Sequence, residues 1–538
     1  MQELIGAVGQ LSPKERKALA VLLKQKGINL FSVAPVFKRH GDEPLQLSYA
    51  QERQWFLWQL DPQSTAYHVP AALTLHGTLD LAALEQSFQA LVQRHESLRT
   101  TFIHDGQQAL QRVASEASVQ LAVDDLRGAR PSPAALKALV EGETRRLFDL
   151  EQGPLLRVRL LRLADDEQVL VLTQHHSVCD GWSMQIMIQE LMQAYAAFSQ
   201  GQLPQFAALP VQYPDYALWQ RQWMDAGERQ RQLDYWVRQL DGEQAVLELP
   251  LDRPRPAERS QAGARLDIPL DAAQVAALRA LAQREGVTLF MLLLASFQAL
   301  LHRYSGQASI CVGAPTANRS RVETEGLIGY FVNTQVLKAD FSDVQSFRAL
   351  LAQVKQTVLD AQEHQDLPFE QLVEALQPER NLSHSPLFQV MFNHQRDTAG
   401  EQRLALAGLR IEQMALERTT AQFDLTLDTQ ESADGLFASL TYATDLFDAS
   451  TVARLAKHWQ QLLAAVVADP AQRIGALALL DAEETRAQLA QWNPNPGTFA
   501  AEQCLHQLIA AQAAARPEAI AVSFQGQQLS YAQLNARA

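Results

Sequence analysis

The sequence predicts an α/β fold built of two lobes, and three observations support this prediction. The chain has 538 residues, which is more than a single hydrophobic core usually serves. Helix and strand patterns alternate from about residue 46 to 220 and again from about 265 to 478, with a proline-containing connector at 251–256 between them. Two α/β regions of similar size favour two lobes with a cleft between them, which is a common place for ligand sites.

We divide the chain at the points where this pattern changes. A helix is predicted to start at Ser12-Pro13, because proline suits the first helical turn, and this preface is either a packed arm or a docking element. Trp492–Gly497 has the composition of a linker, and helix and strand patterns resume after it. The predicted segments are a helical preface at 1–45, lobes at 46–222 and 223–478, a linker at 479–503, and the start of a further domain at 504–538.

The composition excludes several classes of function. Hydrophobic residues make up 47% and charged residues 20% of the chain, as in ordinary globular proteins. The net charge is −14 and no basic stripe is visible, so we expect neither a nucleic-acid nor a membrane partner. The first residues lack a signal-peptide pattern, and the most apolar stretch, 287–301, is shorter than the roughly 20 residues that span a bilayer. We therefore expect a cytoplasmic protein.

The first predicted lobe contains a loop that follows a buried strand. Asp80 is placed to cap an amphipathic helix, and residues 156–160 alternate apolar with charged side chains as in a strand. The run 169–172 is apolar enough to be buried on both faces. It leads into His175-His176-Ser177-Val178-Cys179-Asp180-Gly181, after which Ser183 is placed to cap the next helix. Side chains in such a strand-to-helix loop are held on a rigid frame and remain exposed.

The paired histidines are the best candidates for chemistry. Histidine is the side chain most suited to accept and return a proton near neutral pH. In so tight a loop only one of two adjacent histidines easily faces a cleft, and the other packs or bonds to backbone. Asp180 can fix the loop by pairing with an arginine, and Gly181 relieves a turn where a side chain would clash. The residues alone leave both a catalytic histidine and a structural histidine pair open.

The same loop contains candidates for a metal site and for a nucleophilic cysteine. A metal site needs further ligands at suitable spacing, and the sequence offers none nearby, so we expect no metal. Cys179 next to a histidine is a conceivable nucleophile, although its place between Val178 and Asp180 favours inward packing. With Cys311 and Cys504 it completes three cysteines, too few for a disulfide framework and too dispersed for a zinc pattern.

Seven segments in order resemble the motifs of the condensation domains of nonribosomal peptide synthetases. His175–Gly181 matches the family's HHxxxDG signature, and Trp182-Ser183 continues it in the usual way. The other six are Leu47–Leu57, Arg94–Phe102, Tyr213–Gln220, Ile328–Gln335, His364–Glu370 and Ser385–Phe392. The series spans residues 47–392, and an ordered series of this length is highly specific. Near the end, Leu529–Leu534 resembles the first motif of an adenylation domain, which is too little for adenylation activity.

The resemblance implies both a fold and a reaction. The fold is a pseudo-dimer of two chloramphenicol-acetyltransferase-like α/β lobes arranged in a V, with the histidine loop at a central substrate channel. In the reaction, the amine of an acceptor aminoacyl thioester attacks the acyl carbon of a donor thioester and forms a peptide bond. Both substrates arrive on 4'-phosphopantetheine arms of carrier proteins, and the domain binds no cofactor of its own. The implied setting is secondary-metabolite synthesis, of a siderophore or lipopeptide for example.

The resemblance also implies roles within the histidine loop. His176 is the catalytic residue, as a base or as a group that orients the amine, and His175 supports the motif. Asp180 is structural and pairs with an arginine, for which Arg99 is the first choice and Arg94 the second. Gly181 holds the loop and offers its backbone N–H to the developing oxyanion.

Further residues are assigned to the substrate channel. The expected channel residues are Trp182 and Ser183 beside the loop, Trp219 on the acceptor side, and Asn333 in the second lobe. Gln365, Asp366 and Pro368 are expected to shape a bridging loop rather than to touch substrate.

The implied partners belong to a synthetase. An upstream carrier brings the donor, and if Met1 is the natural start, that carrier is on another polypeptide, which residues 1–45 would help to dock. The acceptor carrier and the adenylation domain lie downstream in the same synthetase. The motifs lean toward an L-configured donor. The alternatives are an epimerisation domain, a dual epimerisation and condensation domain, and a catalytically silent recruiting module, which the intact signature and the opening motif disfavour.

Overall fold

The computed structural model describes most of the chain and divides it into two compact units, Met1–Leu479 and Leu480–Ala538. The described residues are 8, 11, 13–24, 29–33, 35–39, 44–116, 118–129, 131–241, 246–343, 346–376, 383–396, 405–406, 408–414, 416, 420–432, 435–494 and 503–538.

Helices and strands alternate through the first unit, as the sequence predicts. The helices are α1 Pro13–Lys24, α2 Leu30–Val33, α3 Tyr49–Leu60, α4 Leu81–Arg94, α5 Pro133–Arg145, α6 Gly181–Phe198, α7 Tyr213–Trp223, α8 Arg229–Gln239, α9 Ala272–Arg284, α10 Leu289–Ser305, α11 Phe347–Glu363, α12 Phe369–Leu376 and α13 Ala449–Ala468. The strands are β1 His68–His76, β2 Thr100–His104, β3 Ala109–Val113, β4 Leu121–Asp125, β5 Leu156–Arg162, β6 Glu167–His175, β7 Gly263–Ile268, β8 Ser309–Thr316, β9 Asn333–Asp340, β10 Val390–Arg396, β11 Ala405–Leu406, β12 Leu409–Gln413, β13 Leu425–Ser432 and β14 Gly435–Ala443. The mixed α/β fold class is confirmed.

The first lobe is organised around a six-stranded sheet in the order β11-β12-β1-β6-β5-β4. β6 lies in its interior, antiparallel to both β1 and β5, and every residue from Gln168 to His175 is buried. This agrees with the prediction of a strand covered on both faces. α4 and α6 pack together over the sheet, with Phe88, Leu91 and Leu191 in their shared core. Asp80 caps α4 as predicted, since its carboxylate accepts a hydrogen bond from Ala83 N.

Two strands of the first sheet, β11 and β12, come from the second half of the chain. β12 pairs antiparallel with β1, with Leu73 opposite Gln413 and His76 opposite Arg410. The prediction that all of residues 223–478 belong to the second lobe is therefore wrong for this segment. A strand that leaves one lobe to complete the sheet of the other has no local signature, because its pairing partner lies far away in sequence.

The second lobe has its own six-stranded sheet, in the order β7-β14-β13-β10-β8-β9. α10 is its central helix, with all side chains from Met291 to Leu301 buried. The predicted starts of α9 and α10 are confirmed, because Asp271 and Thr288 cap them through Gln274 N and Met291 N. Within the described residues, no single helix is long and apolar enough to cross a membrane, although the bent pair α9 and α10 meets that test by length and composition.

The helical preface packs against the body of the first unit. α1 begins at Pro13, as predicted, and Val8, Ala20, Phe31 and Val36 join a buried cluster that contains side chains of α7. This supports the packed-arm interpretation, and a docking role for residues 1–45 stays a prediction.

The second unit is small and rich in exposed apolar side chains. It consists of α14 Ala482–Trp492, α15 Leu505–Ala515, β15 Ile520–Phe524, β16 Gln527–Ser530 and α16 Tyr531–Arg537. The prediction of a linker at 479–503 is wrong for α14, which Asp481 caps through Glu484 N. Residues 495–502, which include part of the Trp492–Gly497 segment, lie outside the described residues.

Candidate active site

The histidine loop, residues 175–183, joins the end of β6 to the start of α6. His175 is the last residue of β6, His176–Val178 form a single 3₁₀ turn, and Gly181 begins α6. The N-cap of α6 is Asp180 and not Ser183 as predicted, since Asp180 Oδ1 accepts from Ser183 N at 2.8 Å. Both ends of the loop are therefore fixed by regular structure.

His175 is buried and turned away from solvent. Its Nδ1 accepts from Ser177 N at 3.2 Å, and Nδ1 also lies 2.9 Å from Ser177 Oγ. The rings of His68 and Phe148 lie edge-on to it, at 6.3 and 5.9 Å between centroids. Burial lowers the pKa of His175 to about 3, so the ring is neutral at physiological pH. This is the packed member of the pair that the tight loop predicts.

His176 has the opposite arrangement. Its Nδ1 lies 2.7 Å from Cys179 O, and because a carbonyl oxygen only accepts, Nδ1 carries the proton. Among the residues that the structure describes, the other ring nitrogen, Nε2, has no hydrogen-bond partner. Burial lowers the pKa of His176, and the ring of Tyr330 lies 4.7 Å from it. The result is a half-buried neutral imidazole with a fixed tautomer and a lone pair on Nε2 that no group of the described residues uses.

The alternatives of a nucleophilic cysteine and a metal site receive no support from this geometry. Cys179 is fully buried, its thiol lies 3.3 Å from Asp180 O, and burial raises its pKa well above the ordinary value. The inward packing that the sequence favours for Cys179 is confirmed. Among the described residues, no cluster of three or more His, Cys, Asp or Glu side chains is arranged to hold a metal ion.

Asp180 is fully buried and locked by three groups. Oδ1 accepts from Ser183 N and lies 3.3 Å from Arg319 Nη2, while Oδ2 accepts from Phe331 N at 3.0 Å. The prediction that Asp180 pairs with an arginine is correct, but the arginine is Arg319. Its guanidinium also donates to the carbonyl oxygens of Thr324 and Leu327, so it ties the loop to the 319–331 segment.

The two arginines named as partners of Asp180 are used elsewhere. Arg99 Nη1 donates to Ala114 O, and Arg94 forms a salt bridge with Glu190 at 3.0 Å. Both assignments are wrong for the same reason, because proximity to a motif along the chain does not decide which cation reaches a buried carboxylate.

Ser183 differs from its predicted role, and Gly181 differs in one of its two. Ser183 is buried, and its Oγ donates to Gly329 O at 2.8 Å and accepts from Arg319 Nη2 at the same distance, so it belongs to the lock rather than to a channel. Gly181 is exposed, and a Cβ built on it meets no atom within 4 Å, which rules out the predicted clash. As the first residue of α6, Gly181 has a backbone N–H in the unpaired first turn of the helix.

Two cavities share part of their lining, and the first is connected to the loop through the ring of Tyr330. Cavity 1, about 350 Å³, is bordered by both halves of the chain, with Arg53 on α3, Tyr330, and Asn333 on β9 among its lining residues. His176 does not line it directly, but Tyr330 does, and the same ring contacts His176. Cavity 2, about 240 Å³, is lined by aromatic side chains of α7 together with Arg321.

The predicted channel residues fall in different places. Asn333 lines cavity 1, and its side-chain amide also donates to the carbonyl oxygens of Gln365 and Leu367 at 2.8 and 2.6 Å, which anchors the connection before α12. Trp219 lines cavity 2 and stacks on Trp223 at 4.7 Å, so it packs as well as lining a cavity. Trp182 is 46% exposed and lines neither cavity. Its indole N–H donates a hydrogen bond to Glu325 O.

The bridging segment after α11 contributes side chains to the walls of the cavities. Gln365 accepts from Thr316 Oγ1 at 2.8 Å, in agreement with a loop-shaping role. Pro368 lines cavity 1, and Asp366 lines both cavities. Sequence reasoning named these residues but did not expect them at a cavity wall, and it missed Arg319 and the Tyr330 ring.

Comparisons with known proteins agree on one family. The family model described as "Condensation domain" matches residues 42–489. The chain is 46% identical to a subunit of the linear gramicidin synthase of Brevibacillus parabrevis over 94% of its own length, and 38% identical to the first subunit of the surfactin synthase of Bacillus subtilis (strain 168) over 97%. It spans only 6% and 14% of the lengths of those two relatives.

Solved structures share the fold. The X-domain from teicoplanin biosynthesis is 30% identical and superposes with a TM-score of 0.74, over 83% of this chain and 100% of that one. A four-domain nonribosomal peptide synthetase bound to AMP and glycine gives a TM-score of 0.75 over 92% of this chain and 38% of that one; at 24% identity it supports the fold alone.

Proposed function

This chain belongs to the condensation-domain family of nonribosomal peptide synthetases, which form peptide bonds, and on that premise we propose that it joins two carrier-bound thioesters at His176. The acceptor amine attacks the acyl carbon of the donor thioester. The new C–N bond forms, the C–S bond breaks, and the donor arm leaves as a thiolate. The nitrogen loses a proton during this transfer, and the thiolate takes up a proton.

The observation that carries the proposal is the orientation of the His176 imidazole. Its Nδ1–H is fixed by Cys179 O, and Nε2 presents a lone pair with no partner among the described residues. Nε2 is therefore able to accept a hydrogen bond or a proton from the attacking amine. Because holding two reactants together already removes several kcal/mol of the barrier, a weakly basic imidazole of lowered pKa suffices.

The substrates and partners follow from family membership. The donor and acceptor are proposed to arrive on 4'-phosphopantetheine arms of two carrier proteins, the donor carrier upstream and the acceptor carrier downstream beside an adenylation domain that begins near residue 504. We propose an L-configured donor, on the motif pattern. The backbone N–H of Gly181, in the open first turn of α6, is the proposed donor to the oxyanion.

The test is peptide transfer between loaded carriers by His176 variants. His176→Ala should lower single-turnover transfer by about 10²–10⁴-fold, the usual contribution of a positioned acid–base group. His506→Ala, which changes an exposed histidine of the second unit, is the matched control. Transfer by His176→Ala close to the wild-type rate would refute the assignment.

A second variant separates the two roles that His176 can have. His176→Gln keeps an acceptor oxygen near the position of Nε2 but cannot take up a proton. If His176 mainly orients the amine, His176→Gln should retain much more transfer than His176→Ala, and if it acts as a base, both variants should be equally slow.

The same incubation distinguishes the alternative functions. New peptide indicates condensation, a racemised donor thioester indicates epimerisation, and neither product indicates a recruiting module. The similarity to the X-domain, for which a solved structure is a complex with OxyB, keeps the recruiting alternative in the test. The complete His175–Gly181 signature and the fixed tautomer of His176 favour condensation.

A further inference from the structure

The backbone of Tyr330 is held on both sides by the lock that surrounds Asp180. On one side, Phe331 N donates to Asp180 Oδ2 at 3.0 Å. On the other side, Gly329 N donates to Ser183 Oγ at 3.0 Å, and the same hydroxyl donates to Gly329 O at 2.8 Å. Because these bonds fix the peptide groups before and after Tyr330, the lock determines where its Cα–Cβ bond points.

The side chain of Tyr330 is anchored at its far end too. It is 7% exposed, and its hydroxyl accepts a long hydrogen bond from Gln54 Nε2 at 3.4 Å. Gln54 belongs to α3, which also contacts the 3₁₀ turn His176–Val178. Burial raises the pKa of Tyr330 to about 12, so the ring stays neutral at physiological pH. Tyr330 therefore presents a neutral aromatic surface whose position is set by α3 and by the lock together.

This aromatic surface lies against the imidazole of His176, with 4.7 Å between the ring centroids and 54° between the ring planes. The hydrogen bond from Nδ1 to Cys179 O fixes one edge of the imidazole. A single hydrogen bond does not fix the orientation of a ring, because hydrogen-bond angles tolerate a broad range. Within the described residues, His176 makes no hydrogen bond to the segment 319–331 that the lock holds. The aromatic contact of Tyr330 connects this segment to the imidazole.

We propose that Tyr330 is a positioning residue for the condensation reaction, and that its ring transmits the restraint of the Asp180 lock to the imidazole of His176. The ring keeps Nε2 directed at the position of the attacking amine. The inference rests on the proposed function, because it concerns the histidine that the proposed reaction uses. A displacement of about 1 Å at a reacting group can slow a reaction by about 10²-fold, so a contact that holds the imidazole has a large effect on the rate.

The test separates the ring of Tyr330 from its hydroxyl. Tyr330→Leu removes the flat ring and keeps an apolar side chain, and it should lower single-turnover transfer between loaded carriers by about 10²-fold. The carrier concentration at half-maximal rate should change by less than about twofold, because the loss affects the reacting group and not the binding of the carriers. Tyr330→Phe should stay within about threefold of the wild-type rate, since it keeps the ring contact and loses one long hydrogen bond.

Three results would overturn the inference. The first is transfer by Tyr330→Leu at the wild-type rate. The second is a loss in Tyr330→Phe as large as the loss in Tyr330→Leu, which would assign the effect to the hydroxyl. The third is an effect on the half-maximal carrier concentration with no effect on the maximal rate, which would assign Tyr330 to binding.

Phe341→Leu is the matched control. Phe341 is 6% exposed and stacks on His302 with 4.2 Å between the ring centroids. It follows β9, whereas Tyr330 precedes the same strand. The variant removes a comparable contact between a buried ring and an imidazole, so it should lower the free energy of unfolding and leave transfer unchanged. A parallel loss of transfer in Phe341→Leu would contradict the inference, because a general loosening of the fold would then explain both variants.

A double variant tests whether the lock acts through the ring. If it does, adding Asp180→Asn to Tyr330→Leu should lower transfer by less than about threefold further, whereas two independent losses multiply. The rates are compared at a temperature where circular dichroism shows all variants folded. Full multiplication of the two losses would show that the lock acts on His176 by another route.

A measurement on the imidazole itself keeps the inference testable if no transfer occurs. Labelling of histidine with ¹⁵N gives the Nδ1–H signal of His176, which a comparison with His176→Ala assigns. Exchange of this proton with water should be about tenfold faster in Tyr330→Leu than in the wild type or in Tyr330→Phe, because the bond to Cys179 O opens more often when the imidazole is not held. This result supports positioning by Tyr330 even if the proposed function fails. Equal exchange rates in the three proteins would contradict it.

Discussion

Asp180 in the histidine loop and Asp366 at the wall of cavities 1 and 2 lie in the same unit, and their surroundings differ sharply. Asp180 is fully buried and is satisfied by Ser183 N, Phe331 N and the guanidinium of Arg319. Asp366 has one hydrogen bond, from Gln232, and no ion pair among the described residues, yet it lines two cavities. A carboxylate whose bonding capacity is filled by its own chain has no oxygen left for a ligand, whereas a carboxylate with a free oxygen at a cavity wall does.

The same distinction applies to the two histidines. His175 uses Nδ1 within the loop, whereas His176 anchors one nitrogen and leaves the other open. The motif therefore combines several residues that hold the loop with one that is positioned to react. Changes to the first group should reduce the free energy of unfolding, and changes to the second should reduce transfer.

The largest effect on stability should come from Arg319→Met. It leaves Asp180 as a buried charge without its cation, and losses of about 3–5 kcal/mol in the free energy of unfolding are typical of such changes. Urea denaturation measures the loss. Arg279→Met, which breaks the more exposed pair with Glu431, is the control and should cost about 0–1 kcal/mol.

The double variant shows whether the cost comes from the unpaired charge. Asp180→Asn together with Arg319→Met should be more stable than Arg319→Met alone, because the neutral amide needs no counter-charge. Asp180→Asn alone should also lose stability, because Arg319 is then a buried cation without its carboxylate, and it should transfer poorly because the loop loses its anchor. Full transfer by Asp180→Asn would show that the lock does not position His176.

A smaller loss is expected from Gly329→Ala, which tests the lock through shape instead of charge. A Cβ on Gly329 would lie 2.0 Å from the ring of Tyr213, and that ring is held by Ser48 Oγ and Tyr330 O. Overpacking of this kind costs about 1–3 kcal/mol. Gly181→Ala is the matched control, because its Cβ meets nothing within 4 Å, and it should change the free energy of unfolding by less than about 0.5 kcal/mol.

Local features of this fold could be predicted from sequence because their causes are local. The caps at Asp80, Asp271 and Thr288 depend on residues three positions away, and the burial of β6 follows from its own apolar run. The division of roles between His175 and His176 also follows from the tightness of a single loop.

The features that sequence reasoning missed are long-range. Arg319 lies 139 residues from Asp180, and β12 joins the first sheet after more than 300 residues of chain, so no local pattern indicates either pairing. The position of Asp366 is of the same kind. Its motif is visible in the sequence, but the absence of an ion pair to Asp366 within the described residues depends on how Arg231 and Arg321 are used after folding.

An effect that is absent at neutral pH and grows only as the pH falls extends the comparison to a group that burial keeps uncharged. Burial lowers the pKa of His175 to about 3, below the value near 6.5 of an unfolded histidine. Between these values the unfolded chain binds a proton that the folded chain does not. The contribution of His175 to the free energy of unfolding is therefore complete above pH 6.5 and is lost as pH falls toward 3.

His175→Asn keeps an acceptor for Ser177 N but cannot titrate. Its free energy of unfolding should therefore fall less steeply with acid than that of the wild type, by at most about 1.4 kcal/mol per pH unit. Urea denaturation from pH 7 to 4.5 measures both slopes, and parallel curves would mean that His175 is already protonated in the fold, contrary to the acceptor role of its Nδ1.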